Sequence, residues 1–365
     1  MNPGDDANPQ SIIRQFIVDS ESGCYSVAVM THRSVFHSAL WLLASAGLGA
    51  AAPGLKLTSS TELPGVSGDM DHLAVDSAGQ RLFVAAEDNG TLRVIDLKTG
   101  KLDRTVKGFE TPHSILYLPA SSELYITDGS KAIQVLDSRT FALKKTVKTT
   151  PGADSIGVDP SKDRLYAVSG GKDVKMTTSA ISEVDTRTGK LIREIPIDAA
   201  HVEAMAVEKS GPMLYVNVTD KNYMAVIDRA TGKVVNKWPI TEAKQNAPVA
   251  FDEANHRLFI VCRDPGKLVV VNSANGKTIA SFPTGARADE VVFDSTHHRI
   301  YVASGEGKIY VYEQKDADHY AAADPVPSAA GAKTAVLSPD ASHLYVSVSP
   351  GEGKTGAKVL VFQVN

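Results

Sequence analysis

The chain has 365 residues, 43% of them hydrophobic and 22% charged, which is ample for a sizeable buried core. A formal charge of −4 supplies no basic field to draw in nucleic acid or an anionic membrane surface. Its two cysteines, Cys24 and Cys262, exclude a disulfide framework, and Cys262 within "LFIVCRDPG" reads as a small buried strand residue.

In chain order, residues 1–29 match no part of a targeting signal and are expected to be an upstream extension outside the mature protein. Residues 30–52 carry Arg33, an apolar stretch over 39–48, and small residues over 49–52 before Pro53. That is the three-part layout of a secretory signal peptide, with an apolar core too short for a stable membrane span. The expected location is therefore periplasmic or secreted, and the folded part is expected over 53–365.

From His72 onward one phrase recurs. "HLAVDSAGQRLFVA", "SIGVDPSKDRLYAV", "PVAFDEANHRLFIV" and "EVVFDSTHHRIYVA" each place a polar turn between two apolar strands. The apolar residue opening each second strand falls at Leu82, Leu124, Leu165, Leu214, Leu258, Ile300 and Leu344, spaced 41 to 49 residues apart. Seven units of this period match four-stranded propeller blades rather than a helical solenoid. A second landmark, "DLKTGK", "DTRTGK", "DRATGK" and "NSANGK", marks the hairpin between third and fourth strands. There Asp or Asn caps its own turn and Gly takes a positive φ. The last unit stops after its third strand, "KVLVFQVN", while "LKLTSSTELPG" from Leu55 has the character of a fourth strand. Pairing the two ends would close the ring and cover both exposed edges. The expected fold is all-β: a seven-bladed β-propeller whose last blade is closed by the N-terminal strand.

"DRLYAVSGG", "RIYVASGEGKIYVYE", "HLYVSVSP" and "MAVIDRATGKVV" resemble the YVTN-repeat, YncE-like family of seven-bladed propellers, over Leu55 to Asn365. The resemblance implies the architecture and an exported protein, and it assigns no activity.

Propeller ligands gather at the channel mouth. Eleven residues before each anchor stand Asp71, His113, Asp154, Glu203, Ala247, Asp289 and Lys333. Ten residues before stand His72, Ser114, Ser155, Ala204, Pro248, Glu290 and Thr334. A slip of one residue reverses which ring faces inward. Asp71, His72, His113, Asp154, Glu203, Asp289, Glu290 and Lys333 are thus candidate ligand-binding residues. Tyr223 joins them from the "TDKNYMA" loop. Long loops at Lys172–Ser179 and in "SPGEGKTGAK" would lie on the same face. Converging carboxylates about 8 Å apart would cost about 2 kcal/mol per pair at an effective dielectric near 20, unless a cation lies between them.

Three outcomes stay open for the mouth: a water-filled channel, a cation site, or recognition of a polar organic molecule. The leading reading is a monomeric, non-catalytic exported propeller that binds a small polar or cationic ligand, or a protein partner. The alternative is a metal-assisted hydrolase or lyase, lactonase-like, acting on a small polar substrate. In it Asp71, His113, Asp154 and Glu203 are the candidate ligands for Ca²⁺, Mn²⁺ or Zn²⁺, and His113 is also the candidate general base. His256, His297, His298 and His343 fall in polar turns on the opposite face. His201, two residues before Glu203, is within reach of the rim.

Overall fold

Each repeat folds as four antiparallel strands, and burial changes from strand to strand for a geometric reason. Second and third strands, such as Arg81–Ala86 and Thr91–Asp96, are buried nearly throughout. Both faces of each sheet pack against a neighbouring sheet, so these strands read as continuous apolar runs rather than alternating ones. Fourth strands such as Lys101–Lys107 lie at the rim and are mostly exposed. The computed structural model describes residues 54–130, 132–351 and 356–365, all within the unit Gly49–Asn365. The expected extension (1–29) and signal segment (30–52) lie outside the described residues. Among the described residues no helix is long and apolar enough to cross a membrane.

Seven sheets form seven blades, which span 73–107, 112–147, 156–197, 202–239, 244–283, 288–330, and 332–364 together with 55–62. The last blade is built from both chain ends. Leu55–Glu62 pairs with Lys358–Val364 in a register running from Leu55↔Val364 to Glu62↔Lys358. Blade six departs from the pattern, since its fourth position is filled by two short strands, Tyr320–Ala322 and Val326–Ala330. The core lies between blades. Tyr166, Val168 and Ile181 of blade three, for example, cluster with Leu214, Val216 and Ala225 of blade four.

The hairpin turns take the expected form. The Asp96 carboxylate accepts hydrogen bonds from the backbone N–H of Lys98 and Thr99, and Gly100 sits at φ 65°. Cys262 is fully buried, and burial pushes its thiol up to about 12.

Strict alternation fails at the start of most innermost strands. In blades two, four, five, six and seven the register slips at the start of the innermost strand, at Pro112/Ile115, Val202/Met205, Asn246/Val249, Ala288/Glu290 and Ala332/Thr334. A bulge breaks strict alternation and lets neighbouring side chains share a face. Residues of both rings reach the mouth, His72, Ser155, Ala204 and Pro248 lining it beside the first ring, in blades with and without such a slip.

Candidate functional site at the channel mouth

A cavity of about 560 Å³ opens where the innermost strands begin, and each of the seven blades contributes an ionisable side chain to it. These are Asp71, His113, Asp154, Glu203, Arg263, Asp289 and Lys333, joined by His72, Glu87, Asp69 and His201. Backbone pairing holds two of the acids in equivalent places. Asp71 N–H donates to Ala85 and Asp154 N–H to Val168, at 2.9 and 3.0 Å.

Opposite charges alternate around the cavity. His113 Nδ1 lies 3.0 Å from Asp71 and 4.0 Å from Asp154. His72 Nδ1 lies 3.1 Å from Glu290, and its Nε2 lies 3.5 Å from Asp71. His201 Nε2 meets Glu203 at 2.7 Å, and Arg263 bridges Glu203 and Asp289. Lys333 reaches Asp289 at 2.9 Å and Asp69 at 3.2 Å. The acidic rim expected from the ring positions is thus a paired network, with Arg263, Lys333 and the histidines lying between the carboxylates. The protein brings its own cations.

The network divides the acids into two kinds. Burial raises Asp71, but His72, the His113 hydrogen bond and Lys333 outweigh it and hold the carboxyl well below the usual range. Glu203 is likewise lowered, since burial is overcome by the His201 bond and Arg263. Asp154 goes the other way. Burial, with Asp71 and Glu203 nearby, raises it to about 6 despite His113. Glu87 is raised to about 7, mainly by burial and by Asp71. Burial alone would lower His113, but Asp71 and Asp154 raise it to about 9, and His72 is also raised by Asp71 and Glu290. With no cation in the site His113 is therefore held as an imidazolium, and either role expected of it, base or ligand, requires a bound cation to displace that proton. Glu87, near 7, is the group poised to exchange a proton.

Asp71, His113 and Asp154, from three consecutive blades, offer ligand atoms that all lie within 4.8 Å of one another. Glu203, the fourth expected ligand, is outside that group and is occupied by His201 and Arg263.

Two sequence-derived positions fall elsewhere. Tyr223 opens the strand Tyr223–Asp228, lines a separate groove with Ile197 and Val234, and lies under Lys237 Nζ at 5.3 Å. Glu290 acts through its contact with His72 rather than by lining the cavity. In the long loop of blade three, Lys172, Asp173, Val174 and Ser179 line the mouth as expected. Part of the blade-seven loop, 352–355, lies outside the described residues. His297 is held by the buried Asp294 at 2.7 Å, in a turn away from the cavity.

Arg263 and Glu87 were missed because only residues before each anchor were counted. Five residues after the anchors stand Glu87, Gly129, Gly170, Thr219, Arg263, Gly305 and Ser349, at the tips of the hairpins joining second to third strands. That ring shares the mouth face and has two charged members, Glu87 and Arg263; Asp69, two residues before Asp71, is a third charged residue that neither ring position predicts.

Fold and site together define a seven-bladed propeller with a charged polar cavity at one end of its channel. Residues 131–349 match the PQQ_2 family model, described as outer membrane protein assembly factor BamB. The chain belongs to this YncE- and BamB-like family of β-propellers. It is 28% identical over 174 residues to uncharacterized proteins YncE of Salmonella typhimurium and Salmonella typhi, a match covering 47% of this chain and 48% of each relative. The chain thus spans about half the length of the curated relatives it matches. Among solved structures it is similar to a chain of Kuenenia stuttgartiensis hydrazine synthase. That match has a TM-score of 0.69 and 18% identity, covering 83% of this chain and 99% of the other. A chain of a mitotic checkpoint complex matches at TM-score 0.70 and 13% identity, covering 95% of this chain and 99% of that one. At such identities these two likenesses concern the fold alone.

Proposed function

We propose that this chain is an exported, monomeric propeller that binds a small polar ligand bearing a positive charge at the channel mouth, without transforming it. The observation that carries the reading is the contribution of an ionisable side chain from every blade to one 560 Å³ cavity. A rigid scaffold that aims convergent polar groups at a cavity of this size has the anatomy of a small-molecule site. The charge preference rests on Asp154 and Glu87. Neither makes an ion pair with Lys or Arg among the described residues, and burial holds both above the ordinary carboxylate range. A cation placed between them would offset that burial and displace their protons. Export rests on the pattern of residues 30–52.

Melting curves with putrescine, glycine betaine and Mn²⁺ as probes test the reading. At least one should raise Tm in the wild type and fail to do so in Asp154→Asn. No shift from any probe would overturn it. Binding linked to proton release is checked by calorimetry at pH 6.5 in two buffers of different ionisation enthalpy.

The compact set Asp71, His113 and Asp154 favours a second reading, metal-assisted hydrolysis or lysis of a small polar substrate. In that reading the three side chains would hold the ion, and Glu87 would take the proton-transfer role. Stoichiometric metal after purification without chelator would favour it, and turnover of a lactone would establish it.

A further inference from the structure

We propose that the protein carries a second ligand site, for a small amphipathic amine, in the seam between blades seven and one. The seven repeats supply their own control, because each places an aromatic residue just after its anchor. These are Phe83, Tyr125, Tyr166, Tyr215, Phe259, Tyr301 and Tyr345. Each faces the next blade, and six of the seven are at most 2% exposed. In three seams this residue packs against further aromatic residues, at least one of them from the following blade. Phe83 meets Tyr117 and Phe141, Tyr215 meets Trp238 and Phe251, and Phe259 meets Phe293 and Tyr320. Where the residue is tyrosine its hydroxyl is bonded: Tyr125 to the Thr186 carbonyl at 2.6 Å, Tyr215 to Glu208 and the Ser273 carbonyl, Tyr301 to Asp294, Tyr166 to Glu183.

Tyr345 is the exception. The residue is 6% exposed and its ring stacks on His343, but its hydroxyl makes no hydrogen bond among the described residues. It lines a cavity of about 310 Å³, with Val75 at the strand position that holds Tyr117, Phe251 and Phe293 in blades two, five and six and the aliphatic Val158, Val207 and Leu337 in blades three, four and seven. Leu82, Ile95, Val359 and Val361 supply further apolar wall. At the edge stands Asp340, whose Oδ1 is taken by Ser338 and Ser342 and which pairs with no cation among the described residues. Hydrogen bonds from those serines lower Asp340 to about 2, so it is ionised at neutral pH. An apolar body of one ring's size fits the space that an aromatic side chain fills in blades two, five and six. An ammonium group at its end would meet Asp340, and the Tyr345 hydroxyl would gain a partner.

Phenethylamine is a suitable probe, with 2-phenylethanol as its uncharged counterpart, titrated by ligand-observed NMR and calorimetry. Wild type should bind the amine, and at least tenfold more weakly when Asp340→Asn is introduced, with little change for the alcohol. Val75→Phe, which copies blades five and six, should abolish binding of both while keeping the native melting temperature or raising it. No amine binding at millimolar concentration, together with a higher Tm in Val75→Phe, would show a plain packing void and overturn the proposal. Equal binding by wild type and Val75→Phe would place the amine elsewhere and overturn it too. The channel-mouth variant Asp154→Asn should leave phenethylamine binding unchanged, which keeps the two sites distinguishable.

Discussion

Asp154 and Glu203 are both ring carboxylates, yet neutralising them should move stability in opposite directions. Burial and its acidic neighbours raise Asp154 from 3.8 to about 6. A group that binds its proton more tightly when folded stabilises the native state fully below its unfolded pKa, and that stabilisation is lost as pH rises through the folded value. The raised pKa corresponds to about 3 kcal/mol at about 1.4 kcal/mol per unit. With its side chain 34% exposed, solvent screening reduces this to about 1 kcal/mol. Unfolding entropy for a domain of about 310 residues is about 0.65 kcal/mol/K, so Asp154→Asn should raise Tm by about 1.5 °C at pH 7.5. At pH 3.5, where wild-type Asp154 is protonated when folded, the gain should vanish. Glu203 is lowered instead, so its stabilisation is present above the ordinary pKa and lost as pH falls through the folded value. Glu203→Gln gives up charge-assisted bonds to His201 and Arg263, a cost of about 1.5 kcal/mol or about 2 °C at pH 7.5. Differential scanning calorimetry of both variants at the two pH values is the assay. If both substitutions raise Tm equally at pH 7.5, the ring behaves as unpaired acid and the pairing described here is wrong.

Deleting residues 55–65 removes the outer strand of blade seven, its ladder to Lys358–Val364, and Leu55 from the shared core. The truncated protein should aggregate or open, and a monomer of unchanged melting temperature by light scattering and calorimetry would refute the two-ended closure. Arg229, 5% exposed, ties blade four to the fully buried Asp159 of blade three and donates to the carbonyls of Glu208, Gly211 and Pro212. Arg229→Ala leaves that carboxylate without its main partner and should cost about 3–5 kcal/mol in urea unfolding, whereas a loss below about 1 kcal/mol would show the pair to be dispensable.

Architecture was legible in the amino-acid sequence because it rests on local chemistry repeated seven times. Period-two apolar runs, Asp-capped turns closed by glycine, and a spacing near 43 residues each act within one blade, and each appears in the chain as a pattern. Even the two-ended closure followed, since a three-stranded last unit and a spare strand at Leu55 leave two edges that only each other can cover. The convergence of Asp71, His113, Asp154, Glu203, Asp289 and Lys333 was legible for the same reason, as equivalent positions in a ring must meet at its centre. Which ring faces inward was not legible. A one-residue slip costs little locally and leaves no clear mark in the sequence, yet slips interrupt five of the innermost strands, and residues of both rings reach the mouth. Charge pairing belongs wholly to the tertiary structure. Arg263 and Glu203 are 60 residues apart in the chain and His72 and Glu290 are 218 apart. Asp154 and Glu203 look alike as ring carboxylates, but only their three-dimensional neighbours make one a proton-holding acid and the other a salt-bridged anion.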